Sequence, residues 1–225
     1  MISEASKYLS YLYDREEKVR SFLLSFYVVG CLGMIVPFLR PIFIQLTPYA
    51  LLFNSVILLL FHKGSHNLKT GIVFGFILLA GFGIELLGVN TGNIFGEYYY
   101  GNGLGIKIGN TPLLIGLNWL LLVYLSANLT AKLKWKAVFS VIAASVVMIG
   151  YDIILEQVAP ALDMWYWAGN TIPFQNYLAW FVVALIFHIL VKVFGVNTTN
   201  PLARVVFICQ LLFFVVIYVF LKLGV

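Results

Sequence analysis

Three carboxylic acids lie inside stretches of the chain that are otherwise apolar. Glu85 follows a run of aliphatic and glycine residues, and Asp152 and Glu156 stand four residues apart in a second run. In a helix that spacing places two side chains on one face. A carboxylic acid removed from water holds its proton more tightly, which makes it a proton donor near neutral pH. The pattern therefore predicts a cluster of acids able to act as general acid and general base.

The alternative is that the same acids have a structural role and form hydrogen bonds across helices to Asn118, Asn176 or Tyr151. We favour chemistry because all three acids lie at a similar distance from the ends of their apolar stretches. Such acids are costly inside a bilayer and usually mark a functional site. We expect no bound metal here, because no histidine accompanies the acids.

Two aromatic triplets follow these acids at equal spacing. Residues 98–100 (Tyr-Tyr-Tyr) begin thirteen residues after Glu85, and residues 165–167 (Trp-Tyr-Trp) begin thirteen residues after Asp152. Each triplet leads to a Gly-Asn-Thr sequence with a proline close behind. Seven residues after each proline stands a tryptophan: Trp119 and Trp180. The shared spacing predicts an internal repeat in which Glu85 and Asp152 are equivalent, although outer loops are in general rich in Gly, Asn and aromatic residues.

The segment 88–112 is rich in glycine and poor in charge. It is too apolar for a solvated loop and too interrupted by glycine for a membrane-spanning helix. We expect it to lie at the membrane interface as a lid, with aromatic rings directed into the protein.

The elements that position these residues are membrane-spanning helices. Of the 225 residues 62% are hydrophobic and only 10% are charged, whereas a soluble domain carries about a quarter charged residues. A helix needs about 20 apolar residues to cross a bilayer. Seven stretches qualify, approximately 21–39, 43–61, 70–89, 111–129, 136–157, 175–195 and 201–222. The prediction is an all-α, polytopic bundle forming a single domain over 1–225, with residues 1–20 as an amphipathic lead-in and 21–222 as the bundle.

Lysine and arginine sort between alternate connections of this bundle. Eleven of the fourteen fall on the side of the N-terminus, and the other three are Arg40, Lys107 and Lys222. By the positive-inside rule the N-terminus is cytoplasmic, and the two aromatic triplets are outside. We expect a multi-pass protein of the cytoplasmic membrane. The net charge of +5 does not indicate a nucleic-acid partner, because no basic face is interleaved with stacking aromatic residues.

Two blocks of the sequence resemble the carotenoid biosynthesis protein family. The first runs from Gly83-Ile84-Glu85 through 95–101 (Phe-Gly-Glu-Tyr-Tyr-Tyr-Gly) to Thr111-Pro112. The second runs from Tyr151-Asp152 through 165–167 to 173–177 (Pro-Phe-Gln-Asn-Tyr) and Trp180. The family includes carotenoid hydratases of bacteria and haloarchaea, and the resemblance covers about residues 70–185.

The resemblance implies addition of water across the terminal carbon–carbon double bond of an acyclic carotenoid, giving a tertiary alcohol without a cofactor. Lycopene-like or γ-carotene-like chains would be the substrates and membrane lipid the surroundings. The acid would be Asp152 or Glu85, and the remaining carboxylates, including Glu156, would activate water. Candidate residues for binding the substrate, its cation or the water are Tyr98, Tyr100, Asn118, Trp119, Trp165, Trp167 and Asn176.

Three other functions fit parts of the pattern. A proton-coupled transporter also places acids within membrane helices, usually near the midplane rather than near one end. A lycopene-cyclase-like isomerase also protonates an alkene but excludes water. A carotenoid-binding protein would hold the pigment without changing its mass. The sequence leaves open the exact substrate and the oligomeric state.

Overall fold

The computed structural model describes residues 15–131, 133 and 135–224. It contains seven helices long and apolar enough to cross a membrane, which confirms the predicted all-α polytopic bundle. Their bounds are α1 Glu16–Ile35, α2 Arg40–Leu60, α3 Leu68–Thr91, α4 Leu114–Ala131, α5 Ala137–Glu156, α6 Phe174–Val193 and α7 Ala203–Leu223.

The first helix begins earlier than the sequence predicted. Residues 16–20, expected as the end of the lead-in, are the first turns of α1. An ion pair between Arg20 and Glu16 at 3.0 Å joins successive turns there. The rest of the predicted lead-in, 1–14, lies outside the described residues.

The local sequence accounts for the ends of α3. The side chain of Asn67 accepts a hydrogen bond from the backbone N–H of Thr70 at 2.9 Å, which satisfies a donor that the first turn of a helix leaves free. Gly92 ends the helix in a left-handed conformation with φ of 68°, where glycine carries no steric penalty. This well-defined end fixes the start of the loop that covers the site.

Glycines bring α3 and α4 into close contact. A Cβ atom added at Gly81 would lie 2.7 Å from the Cβ of Trp119, and one added at Gly116 would overlap the carbonyl oxygen of Leu78. Each glycine therefore allows the facing helix to approach without a clash. Elsewhere α5 packs against both α4 and α6, and α1 packs against α7.

The connections at one end of the bundle carry the only strands found in the described part of the chain. These are β1 Tyr98–Tyr100, β2 Lys107–Ile108, β3 Thr111–Pro112 and β4 Trp165–Trp167. The two predicted aromatic triplets are β1 and β4, and they pair with each other in antiparallel register. We call this end of the bundle the aromatic end.

The pairing extends to the tryptophans that follow each triplet. Trp119 on α4 and Trp180 on α6 stack with ring centroids 4.0 Å apart and an interplanar angle of 21°. Residues at matching positions of the two predicted units, α3–α4 and α5–α6, thus contact each other.

Candidate active site

Glu85 lies within α3 below the strand pair and is only 3% exposed. Its Oε2 accepts hydrogen bonds from the hydroxyls of Tyr98 at 2.6 Å and Tyr100 at 2.7 Å. Its Oε1 accepts a third from the indole N–H of Trp119 at 3.0 Å. Both oxygens of this buried carboxyl group are therefore provided with donors.

Glu156 is the last residue of α5 and has a similar set of partners. Its Oε2 accepts from the indole N–H groups of Trp165 at 3.0 Å and Trp167 at 2.7 Å. Its Oε1 accepts from the side-chain amide of Asn176 at 2.9 Å. Each glutamate therefore binds the first and third residues of its own aromatic triplet and one side chain of the following helix.

The alternation of a β-strand explains this selection within each triplet. Successive side chains of a strand point to opposite faces, so the first and third members turn inward and the second turns outward. The outward residues Tyr99 and Tyr166 stack with ring centroids 5.2 Å apart. Two three-residue strands thus supply four buried donors and one outer stacked pair. The loop predicted as a lid contains β1, which together with β4 covers the acids. We call this hydrogen-bonded strand pair the aromatic cap.

The predicted equivalence of Glu85 and Asp152 is wrong, because Glu156 has the matching set of partners. The equal spacing of thirteen residues suggested Asp152. Yet α3 continues for six residues beyond Glu85, whereas α5 stops at Glu156. A short 3-10 helix, Pro160–Leu162, then returns the chain to β4. The acid that meets the second triplet is therefore one turn further along α5 than the spacing indicated.

Asp152 is completely buried, one helical turn before Glu156. Neither of its side-chain oxygens has a hydrogen-bond partner among the described residues. A buried ionised carboxylate without donors is very unfavourable, whereas the neutral acid costs much less. The three carboxyl groups therefore have three different environments.

The tyrosines of the cap are held in their protonated form. Burial, together with the neighbouring Glu85, raises the pKa of Tyr98 and of Tyr100 well above the usual value for tyrosine. On the outer face, reduced contact with water and a hydrogen bond to Asp163 raise the pKa of Tyr166 to about 12. The hydroxyls of Tyr98 and Tyr100 consequently remain available to donate to Glu85.

Two spaces adjoin this cluster. A small one of about 10 Å³ is lined by Glu85, Glu156 and the cap residues, and its size is close to that of a single water molecule. A large, mostly apolar cavity of about 520 Å³ lies among α1, α2, α4, α5 and α7. Trp165 lines both spaces and forms the wall between them.

Nine of the ten predicted site residues lie in or directly beside this cluster. The exception is Asn118, which we expected beside the acids and which lines the large cavity instead. Position 118 precedes Trp119 on α4, and adjacent helical residues point about 100° apart. Trp119 is directed to Glu85 and Asn118 is consequently directed away from it.

One histidine of the connection between α2 and α3 is buried. His62 is 3% exposed, and its Nδ1 lies 2.8 Å from the hydroxyl of Tyr124. Burial, with a smaller effect from His66, lowers the pKa of His62. Within the described residues, no group of three or more His, Cys, Asp or Glu side chains is arranged to hold a metal ion.

The fold and this cluster define a multi-pass membrane protein with buried carboxyl groups beneath an aromatic cap. The chain matches the family of carotenoid biosynthesis proteins over residues 46–225, and it belongs to that family. Over 158 residues it is 28% identical to the bisanhydrobacterioruberin hydratase of Haloarcula japonica, an alignment covering 63% of this chain and 53% of the relative. The chain thus spans about half the length of this curated relative. No solved structure matches it.

Proposed function

We propose that this protein is a carotenoid hydratase that adds water across the terminal double bond of an acyclic end group. Membership of the carotenoid biosynthesis family and the similarity to a protein named as a hydratase support the choice of reaction. The observation that carries the proposal is the pair of glutamates, with different partners, lining one space of about 10 Å³ beside a large apolar cavity.

Glu85 is the general acid in this proposal. Its Oε2 is bonded to two hydroxyl groups, and a hydroxyl can either donate or accept a hydrogen bond. The site therefore accommodates Glu85 in both protonation states, as a proton-transfer group requires. Protonation of the terminal alkene carbon by Glu85 leaves a tertiary cation on the neighbouring carbon.

Glu156 is the general base. All its partners are N–H donors, which match a carboxylate and offer nothing to a protonated acid. Water attacks the cation, its oxygen becomes the alcohol oxygen, and its proton passes to Glu156. Transfer of that proton back to Glu85 across the small space completes the cycle.

Trp165 stabilises the cation. Its ring borders the large cavity, and its N–H is bonded to the carboxylate of Glu156. A cation over a tryptophan face in a dry site gains about 2 kcal/mol. Because Trp165 lines both spaces, the end group passes this ring on its way to the acids.

Asp152 is a neutral acid in this scheme. Without hydrogen-bond donors it keeps its proton, and it thereby limits the negative charge in the cluster. Its position one turn below Glu156 is on the side away from the aromatic cap. We therefore assign the proton donation to Glu85 rather than to Asp152.

A cyclase-like isomerase is the second candidate. It would use the same acid but would have to exclude water from the cation. The space of about 10 Å³ between the glutamates is of a size that fits one water and favours hydration. The ratio of cyclised to hydrated products distinguishes the two reactions.

The test is expression in a host that accumulates lycopene or γ-carotene, with mass analysis of the pigments. Hydration yields carotenoids heavier by one water molecule. Glu17→Gln is the matched control for the same substitution at Glu85 or Glu156, because Glu17 lies at the opposite end of the bundle and is exposed. Unchanged pigments from a well-expressed wild-type protein with both substrates would refute the proposal.

A further inference from the structure

The large cavity is not a uniform hydrocarbon slot. Its walls are mostly aliphatic and aromatic, but polar side chains from five helices also border it, among them Tyr27, Asn54, Asn118, Tyr151 and Gln210. Its rim includes Val29 and Tyr49, which are also exposed on the outside of the bundle at 55% and 67%. The cavity therefore opens between α1 and α2, toward the lipid.

Most of these polar groups bind each other or the backbone. The hydroxyl of Tyr27 donates to Asn54 at 3.0 Å, and the amide of Asn54 donates to the carbonyl of Ala50 at 2.8 Å. The hydroxyl of Tyr151 donates to Gln210 at 3.4 Å. This group joins α1 to α2 and α5 to α7, which is a sufficient reason for its presence.

Asn118 differs from them. Its side-chain amide has no hydrogen bond to any residue in the described ranges, although it borders the same cavity. The side chain of Asn118 is only partly buried by the protein. Its amide can therefore form hydrogen bonds to a molecule held in the cavity.

The position of Asn118 relates this amide to the reacting end of the ligand. It lies four residues into α4, whereas Glu85 lies six residues before the end of α3. At about 1.5 Å per residue these are depths of about 6 Å and about 9 Å. Asn118 and Glu85 are therefore at similar depth from this end of the bundle, and Trp165 borders the cavity that Asn118 lines.

We propose that Asn118 binds the oxygen of a tertiary-alcohol end group, so that the large cavity is a site for hydroxylated polyene chains. This inference rests on the proposed hydration, in which the alcohol is the product. The amide N–H₂ donates to the alcohol oxygen, and the amide oxygen accepts from its hydroxyl. The apolar walls contact the adjoining hydrocarbon, and the remainder of the chain extends through the opening between α1 and α2.

The test compares the binding of two ligands that differ only in the added water. The full-length protein, reconstituted in lipid, is titrated with lycopene and with 1-hydroxy-1,2-dihydrolycopene, and binding is followed by the quenching of tryptophan fluorescence. The hydrogen bonds to the amide, net of those that the alcohol gives up on binding, should give it roughly five- to tenfold tighter binding than lycopene. Titration of Glu85→Gln in parallel ensures that neither ligand reacts during the measurement.

Asn118→Leu should remove this preference while binding lycopene as the wild type does. The matched control is Thr47→Val, since Thr47 borders the same cavity and its hydroxyl is bonded to the backbone of Phe43 at 3.4 Å. Asn118→Ala is the second variant if Asn118→Leu does not fold. Equal affinity of the wild type for both ligands, or a preference that survives in Asn118→Leu or Asn118→Ala, overturns the inference.

The experiments distinguish failure of the proposed hydratase activity from failure of the proposed binding site at Asn118. A preference for the alcohol that is lost in Asn118→Leu supports the binding site even if no hydrated carotenoid forms in cells. Hydrated product without any preference supports the hydratase and refutes the site at Asn118.

Discussion

Tyr100 and Trp165 lie opposite each other in the antiparallel pair of β1 and β4, and each binds a different glutamate. Their rings meet edge to face with centroids 6.2 Å apart. The hydroxyl of Tyr100 donates to Glu85, and the indole N–H of Trp165 donates to Glu156. One strand pair therefore fixes both carboxyl groups relative to each other. The chemical difference between a hydroxyl and an indole N–H distinguishes two glutamates that otherwise have similar positions.

The three acids should respond differently to replacement by the corresponding amide. We expect Glu85→Gln and Glu156→Gln to lower hydration at least a hundredfold, the usual range for loss of a general acid or base. Asp152→Asn should retain most of the activity, because an amide resembles the neutral acid in size and charge. Product analysis in the lycopene-accumulating host measures all three. A strong loss in Asp152→Asn with activity retained in Glu85→Gln would reverse the assignment of the acid.

The cap predicts a contrast between adjacent tyrosines. Tyr98→Phe removes a hydrogen bond to Glu85 and should cost about 1 kcal/mol of stability, as for a hydrogen bond between neutral groups. Tyr99→Phe should change stability by less than about 0.5 kcal/mol, because Tyr99 is 61% exposed and faces away from Glu85. Thermal melting of the two purified variants in detergent makes the comparison. Equal melting temperatures would show that the Tyr98 hydroxyl contributes little.

Two glycines of α3 test the close packing that positions Trp119. Gly81→Ala places a methyl group 2.7 Å from the Cβ of Trp119, and overpacking of this kind costs about 1–3 kcal/mol. Because Trp119 binds Glu85, the displacement should also lower activity. Gly83→Ala is the control, since nothing lies within 4 Å of its added methyl group; it should be neutral or slightly stabilising through higher helix propensity.

The melting temperature and the hydratase activity should therefore both fall in Gly81→Ala. Neither should fall in Gly83→Ala. Loss of both in Gly83→Ala would mean that α3 needs glycine for a reason other than its contact with α4.

The sequence was sufficient to predict the helices and the grouping of the buried acids with the aromatic triplets. Apolar length defines spanning helices directly, and buried acids are rare enough to indicate a site. It also predicted the two aromatic triplets as matching units, because their spacing from Pro112 and Pro173 to a tryptophan is the same.

The hydrogen-bond donors of each acid could not be predicted from the sequence. The choice between Asp152 and Glu156 depends on where α5 ends, and helix ends are poorly defined by an apolar pattern. Asn118 was assigned to the acids because of its type, while its direction depends on the rotation of α4 about its axis. The burial of His62 depends on its contact with Tyr124, a residue distant in sequence.

The buried His62 gives a pH dependence of stability at the end of the bundle away from the aromatic cap. Its pKa is lowered in the folded protein, so the unfolded chain binds a proton more readily than the folded one. Stability should be complete above the usual histidine pKa of about 6.5 and should fall as the pH drops through the lowered value of the folded state.

We expect the melting temperature to decrease by a few degrees between about pH 7.5 and about pH 5.5, on either side of the usual histidine pKa. In His62→Asn this decrease should largely disappear, because asparagine does not titrate and its amide can still reach the hydroxyl of Tyr124. His66→Asn is the control: His66 is exposed and packs edge to face on His62, so most of the decrease should remain. A pH dependence unchanged in His62→Asn would assign it to other groups.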